Sequence, residues 1–296
     1  MADFEKMRAQ VISGAGFIAA LDQSGGSTPK ALRQYGVEPD AYDGEDEMFA
    51  EIQNMRARII TDANFNSDKV IGAILFDRTL GEKIDGLSVP AYVWEKNGVV
   101  PFLKIDKGLE DEVNGVQVMK PIPGLPETLA AAKKLGIFGT KERSVINTAN
   151  ADGIAQIVNN QFEVAKTVIA AGMVPILEPE VNIHSPSKRE AEDILANALM
   201  ERLSSLEEGQ DVMLKLTIPD NSGIYDVLAD HPRVLRVVAL SGGYSTQDAC
   251  ARLSQNSKMI ASFSRALTEG LQKSQSDTEF GAALGGNIDA IYRASI

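Results

Sequence analysis

The chain has 296 residues, 44% of them hydrophobic and 24% charged, with 29 Lys and Arg against 41 Asp and Glu and a formal charge of −12 at pH 7. That composition belongs to a globular protein, long enough for one large core or two modest ones and too apolar for a disordered chain. The acid excess argues against a nucleic-acid partner, because binding a duplex needs a basic footprint that displaces counterions.

Two residue counts narrow the chemistry. Cys250 is the only cysteine, which leaves no internal disulfide and no cysteine-rich zinc site. His184 and His231 are the only histidines, far apart and each close to a proline, Pro186 or Pro232. A three-histidine metal centre cannot form within one chain, and a serine-hydrolase triad has few candidates for its base. Asp3, Glu5, Lys6 and Arg8 precede any apolar stretch, unlike the cationic start of a signal peptide. The longest apolar run, residues 168–177, is about half of the ~20 residues a spanning helix requires. A cytoplasmic protein of a reducing compartment, with no membrane partner, is expected.

In chain order, short apolar runs alternate with segments of helical period. The first run is GFIAALD (residues 16–22). Thr28-Pro29 then reads as an N-cap with proline at the first helical position, and Gly36 as the stop. Met48, Ile52, Met55 and Ile59 keep helical spacing across residues 47–60. The runs IGAILFD (71–77), VVPFLKID (99–106) and KERSVIN (141–147) follow. Ile154, Ile157, Val158 and Val168 predict a helix before Gly172, and MVPILEPE (173–180) comes next. Ile194, Leu195, Ala198, Leu199 and Leu203 predict another before Gly209. DVMLKLTI (211–218), VLRVVALSG (234–242) and KMIASFS (258–264) complete eight strand candidates. Eight βα units without an intervening linker point to one closed (β/α)8 TIM barrel occupying residues 1–296 as a single domain. A doubly wound open sheet is the alternative, but GGSTPK after the first run lacks the G-x-G-x-x-G spacing that a dinucleotide-binding sheet would carry there.

Strands of a parallel barrel are buried on both faces, so a charge within one is costly. Here the charges gather at the C-terminal strand ends: Asp22 on the first, Lys104 and Asp106 on the third, Glu178 and Glu180 on the fifth, and Arg265 after the eighth. Barrel enzymes build their active sites at that end. In VMLKLTI the period of two sets Met213, Lys215 and Thr217 on one face and Val212, Leu214 and Leu216 on the other. Lys215 therefore points inward. Deprotonating an ordinary lysine at pH 7 costs about 4.6 kcal/mol, and burial or a neighbouring cation lowers that cost. Such an amine can attack a ketone and form an imine, an electron sink for breaking a carbon–carbon bond. The other reading is a barrel lysine paired with Glu178 or Glu180.

Glu178 and Glu180 share a strand face, so one carboxyl pKa is expected to rise, which suits an acid that dehydrates a carbinolamine. Alternatively the pair is bridged to Lys141 or Arg143. Pro179 removes a backbone donor between them, and Asp22 is a candidate base for a substrate hydroxyl. Ser241-Gly242-Gly243 and Arg265 match the phosphate cradle of barrels. Lys104, Lys107, Lys141 and Arg143 form a second cationic group, from the third and fourth strands. Two cationic sites with a lysine and carboxylates between them suggest a substrate carrying a phosphate at each end.

The stretches GFIAALDQSGGSTPKAL, GAILFDRTL, LKIDKG, VPILEPE, MLKLTIP, ALSGG and SFSRAL resemble, in order and spacing, the strand motifs of the class I fructose-1,6-bisphosphate aldolases, from about residue 16 to residue 267. The resemblance implies a Schiff-base enzyme that needs no metal or other cofactor and cleaves fructose 1,6-bisphosphate to dihydroxyacetone phosphate and glyceraldehyde 3-phosphate. It implies that Lys215 forms the imine, that Glu178 is the main proton carrier with Glu180 as second carboxylate, that Asp22 manages the hydroxyl proton, and that Lys141 sits beside the imine. Ser241, Gly242 and Arg265 would hold the phosphate nearest the ketone, and Ser27, Lys104 and Arg143 the other. A homo-oligomer follows by analogy alone. The chain departs from the family pattern at four places. It ends IYRASI with Tyr292 not terminal, like a short form without the tyrosine tail; Ala31 stands where many members carry a basic residue; FSRAL replaces FSYGRAL; and Gln23 replaces an acid beside Asp22. Rival readings are another Schiff-base barrel enzyme acting on a monophosphate or keto acid, an inactive scaffold barrel, and a metal-dependent aldolase, which the histidine count disfavours.

Overall fold

The computed structural model describes residues 2–296. Eight parallel strands follow one another around the barrel: β1 (Phe17–Leu21), β2 (Val70–Leu75), β5 (Val100–Lys104), β7 (Gly139–Ile146), β8 (Val174–Val181), β9 (Val212–Thr217), β10 (Val234–Leu240) and β11 (Met259–Ala261). Each neighbouring pair in that order is hydrogen-bonded in parallel, and helices connect them, as a (β/α)8 TIM barrel requires. β11 lies against β1 to complete the circle. No hydrogen-bonded ladder joins those two strands among the described residues.

The period of two along each strand sorts the side chains into two cores. Val212, Leu214 and Leu216 face the helix layer with Leu177, Val181, Val237 and Ala239. Met213 faces the barrel axis with Ile18, Ile74, Phe102, Ile176, Val238 and Ile260. Apolar side chains thus fill the lower barrel, and the polar residues of the strand ends are left its upper end. The lower end is stopped by helix α1 (Ala2–Ser13), whose Met7 and Val11 join the inner core and whose Phe4 packs on Phe138.

All eight strand runs form strands, with ends shifted by at most three residues; β7 starts earlier than expected, at Gly139. The helix at Thr28-Pro29 is present as α2 (Ser27–Gln34), but it begins two residues sooner with Gly26 at the N-cap, and Thr28 is a buried first-turn residue. Gly36 does end it. At φ +81°, which glycine adopts without strain, it lets the Val37 amide donate to the Leu32 carbonyl at 2.9 Å. The remaining predicted helices are α3 (Gly44–Thr61), α6 (Ala151–Ala170) and α7 (Lys188–Leu203). Periodicity did not announce α1, the hairpin of β3 (Lys83–Ile84) and β4 (Leu87–Ser88), or β6 (Val116–Gln117) antiparallel to β7. The hairpin and β6 are two-residue strands, too short to show a period. Among the described residues no helix is long and apolar enough to cross a membrane.

Candidate active site

The barrel register brings the strand-end charges together. β7 pairs with β8 so that Lys141 faces Ile176 and Arg143 faces Glu178, and β5 pairs with β7 so that Lys104 faces Lys141. β8 pairs with β9 at Ile176–Met213 and Leu177–Leu214, and one residue further on Glu178 meets Lys215. The side chains close a buried cluster. Glu178 lies 3.1 Å from Lys215 through Oε1 and 2.9 Å from Lys141 through Oε2. Lys141 also pairs with Asp22 at 2.7 Å and lies 4.0 Å from Asp106. Lys215, Lys141 and Glu178 are each no more than 4% exposed. Beyond Leu177 no backbone pair joins β8 to β9. The Thr217 hydroxyl takes over, accepting from the Val181 amide at 2.9 Å and donating to its carbonyl at 2.8 Å.

Burial pushes the Glu178 carboxyl pKa up, but Lys141 and then Lys215 outweigh it and hold it below the usual range. Asp22 is likewise held below its usual value: burial opposes ionisation, and Lys141, Lys215 and Lys104 overcome it. Lys141 is held above the ordinary lysine value, burial being outweighed by Asp22, Glu178 and Asp106. For Glu178 this corrects the expectation that two carboxylates on one strand face push one pKa up. Each has its own cation, since Glu180 bonds Arg143 at 2.5 Å. The sequence shows the two acids on one face but not which bases the neighbouring strands deliver.

One cavity of about 850 Å³ is lined by the eleven residues to which the family resemblance gives a role: Asp22, Lys141, Glu178, Glu180 and Lys215 at its floor, Ser241, Gly242 and Arg265 on one side, and Ser27, Lys104 and Arg143 among the rest. Its size suits a small phosphorylated sugar. Gly242 and Gly243 turn at φ +58° and +132°, and a Cβ on Gly242 would lie 2.7 Å from Ile183 Cγ2, so the turn needs glycine there. The Arg265 guanidinium packs against this turn. Among the described residues it has no carboxylate within 4.0 Å. The other cationic group is not bare, which the strand positions alone did not indicate. Lys104 pairs with Asp106 at 2.6 Å, Lys107 with Asp77 at 2.9 Å, and Lys141 belongs to the central cluster. Lys30 and Ala31 also line the cavity; Tyr292 does not, being half-buried against the outer core on α11 (Asp277–Ser295).

Sequence reasoning missed two groups. Arg56 on α3 is 1% exposed and donates to the Gln23 carbonyl at 2.5 Å. Its position among apolar residues, Met55 and Ile59 beside it on the inner helix face, was the available signal. Glu142, between Lys141 and Arg143, faces the helix layer, is fully buried, and neither carboxylate oxygen has a hydrogen-bond partner among the described residues. Burial pushes its pKa well above the ordinary carboxylate value, with Asp106 adding to the rise.

The protein-family model described as "Fructose-bisphosphate aldolase class-I" matches residues 4–222. The chain belongs to that family. It is 54% identical over 284 residues to the class 1 fructose-bisphosphate aldolase of Synechocystis sp., covering 96% of this chain and 95% of that one. It is 53% identical over 287 residues to the class 1 enzyme of Porphyromonas gingivalis, covering 97% of each. Its fold is similar to that of the fructose-bisphosphate aldolase of Plasmodium falciparum, with a TM-score of 0.78 at 20% identity over 99% of this chain and 94% of that one. An archaeal fructose-1,6-bisphosphate aldolase, solved with its catalytic lysine bound to a carbinolamine, shares the fold at TM-score 0.55 and 13% identity, with 98% and 99% covered.

Proposed function

We propose that Lys215 is the amine through which this aldolase works, with Glu178 as its proton carrier. The enzyme cleaves fructose 1,6-bisphosphate reversibly to dihydroxyacetone phosphate and glyceraldehyde 3-phosphate through a lysine Schiff base, in glycolysis and gluconeogenesis. The observation that carries the residue assignment is a single carboxylate, Glu178, held at its two oxygens by two buried ammonium groups at the floor of a cavity with cations on its walls.

The proton that Lys215 must lose passes to Glu178, 3.1 Å away. The neutral amine attacks the ketone carbon, and Glu178 returns the proton to the carbinolamine hydroxyl, which leaves as water. The protonated imine accepts the electron pair of the breaking C3–C4 bond while Asp22 takes the proton of the C4 hydroxyl, and the aldehyde departs. Reprotonation of the enamine carbon and hydrolysis release the ketone. Lys141 keeps Asp22 and Glu178 ionised and in place between these steps. Ser241, Gly242 and Arg265 hold the phosphate nearest the ketone; Ser27, Lys104 and Arg143 face the other, where Asp106 and Glu180 release their cations to it. The same reading takes residues 1–296 as a single domain working in the cytoplasm as a homo-oligomer, without nucleic acid or membrane.

Borohydride reduction in the presence of dihydroxyacetone phosphate, followed by peptide mass analysis, tests the assignment. Label on the peptide carrying Lys215, and its loss together with turnover in a Lys215→Met protein of unchanged circular dichroism, is expected. Label on another lysine overturns it.

A further inference from the structure

The seam between β1 and β11 has no backbone ladder, yet it separates Asp22 from the Ser264–Arg265 corner. Gln23 spans it. Its side-chain amide donates to the Ser264 hydroxyl at 2.8 Å, and its main-chain carbonyl accepts from the Arg56 guanidinium at 2.5 Å. Arg56 reaches this carbonyl from the helix layer and is fixed there by Thr79 Oγ1 at 3.2 Å, Gln53 Oε1 at 3.0 Å and the ring of Phe76, whose centroid is 5.7 Å away. Among the described residues no carboxylate lies within 4.0 Å of it. A buried guanidinium without an ion-pair partner is a costly group to keep, and substituting it with an apolar residue would relieve that cost if it served packing alone. Burial pulls its pKa down to about 10, and Asp22 and Asp77 are the charges that oppose the fall.

We propose that Arg56 is a positioning residue for carbon–carbon cleavage: by holding the Gln23 carbonyl it clasps the open seam and fixes Asp22 against the imine. The proposal rests on the assignment of Asp22 as acceptor of the hydroxyl proton. Imine formation with dihydroxyacetone phosphate involves Lys215 and Glu178 on the far side of Lys141 and does not need that proton transfer. Cleavage of the bisphosphate does.

The test compares the rate of cleavage with the rate of borohydride trapping of dihydroxyacetone phosphate in wild type, Arg56→Met, Arg56→Lys and Asp22→Asn, with urea midpoints as a fold control. Arg56→Met is expected to lower kcat for cleavage about 100-fold, the effect of a displacement near 1 Å, while trapping stays within about twofold. Arg56→Lys, which keeps a charge and a donor on a shorter reach, is expected between Arg56→Met and wild type. Equal losses of cleavage and trapping, or a kcat in Arg56→Met equal to wild type, overturn the proposal. If Arg56→Met does not fold, Arg56→Lys decides: a cleavage-to-trapping ratio equal to wild type overturns it, and a lowered ratio supports it. An Asp22→Asn protein with an unchanged ratio removes the Asp22 assignment and the proposal with it. A defective Asp22→Asn beside a normal Arg56→Met removes the proposal alone.

Discussion

Replacing Lys141 by methionine keeps the length of the side chain and removes one charge from the centre of the site. Lys141 is 3% exposed and lies 2.7 Å from Asp22, 2.9 Å from Glu178 and 4.0 Å from Asp106. With Lys104 and Lys215 it balances those three carboxylates, so its loss leaves one uncompensated negative charge in a buried cluster. Removing one partner of a buried pair costs about 3–5 kcal/mol, and here two short contacts go at once, so the upper end of that range is expected. Urea unfolding at pH 7 measures it as a fall in midpoint at unchanged m. A second substitution isolates the cause. Adding Asp22→Asn removes the excess charge and is expected to restore about 1–3 kcal/mol, a coupling of the size found between contacting residues. The pH profile gives an independent sign. In wild type Asp22 and Glu178 titrate below their ordinary values of 3.8 and 4.5, so the stability they contribute is present above those values and lost as pH falls through the depressed ones. Without Lys141 that acid loss shrinks. A Lys141→Met protein with the wild-type midpoint, or one that Asp22→Asn weakens further, would refute the charge balance.

Glu142 is expected to show the opposite sign. Its folded pKa lies well above the ordinary 4.5, so above about pH 4.5 the unfolded chain loses a proton that the native state keeps, and stability falls by up to about 1.4 kcal/mol per pH unit. Glu142→Gln should remove that slope, so that the stability difference between variant and wild type grows from pH 5 to pH 8; parallel profiles would show that Glu142 is ionised in the fold. Thr217→Val keeps the shape but strips partners from a buried amide and a buried carbonyl of Val181. A loss of about 2–4 kcal/mol in denaturant unfolding is expected. Among the described residues Arg265 has no carboxylate within 4.0 Å, whereas Lys104 and Arg143 must be released from Asp106 and Glu180. Removing the phosphate nearest the ketone should therefore raise KM more than removing the other, which a comparison of fructose 6-phosphate with fructose 1-phosphate can read.

Periodicity carried the barrel. Eight apolar runs separated by amphipathic segments such as α3 and α6 leave little choice of topology, because each run must bury both faces and each helix one. The inward direction of Lys215 was likewise legible, since alternation along VMLKLTI is a local property. Helix α1 was not, because its apolar residues are few and what they cover is the bottom of a barrel that exists only after folding. Nor were the partners of the charges. Glu178 and Glu180 are neighbours along the strand and read as competitors, but the stagger of β7 and β9 gives the first to two lysines and the second to Arg143, and this lowers the Glu178 pKa that proximity alone would raise. Glu142 stood in a strand with nothing to distinguish it until burial did, and Arg56 had only its place among the apolar residues of α3 to mark it. Sequence by itself determined which side chains reach the mouth of the barrel, because strand period and strand end are properties of consecutive residues. Only the tertiary structure decided how those charges pair and which of them keep their protons, because Coulomb interactions and desolvation depend on distances between strands that the chain brings together from far apart.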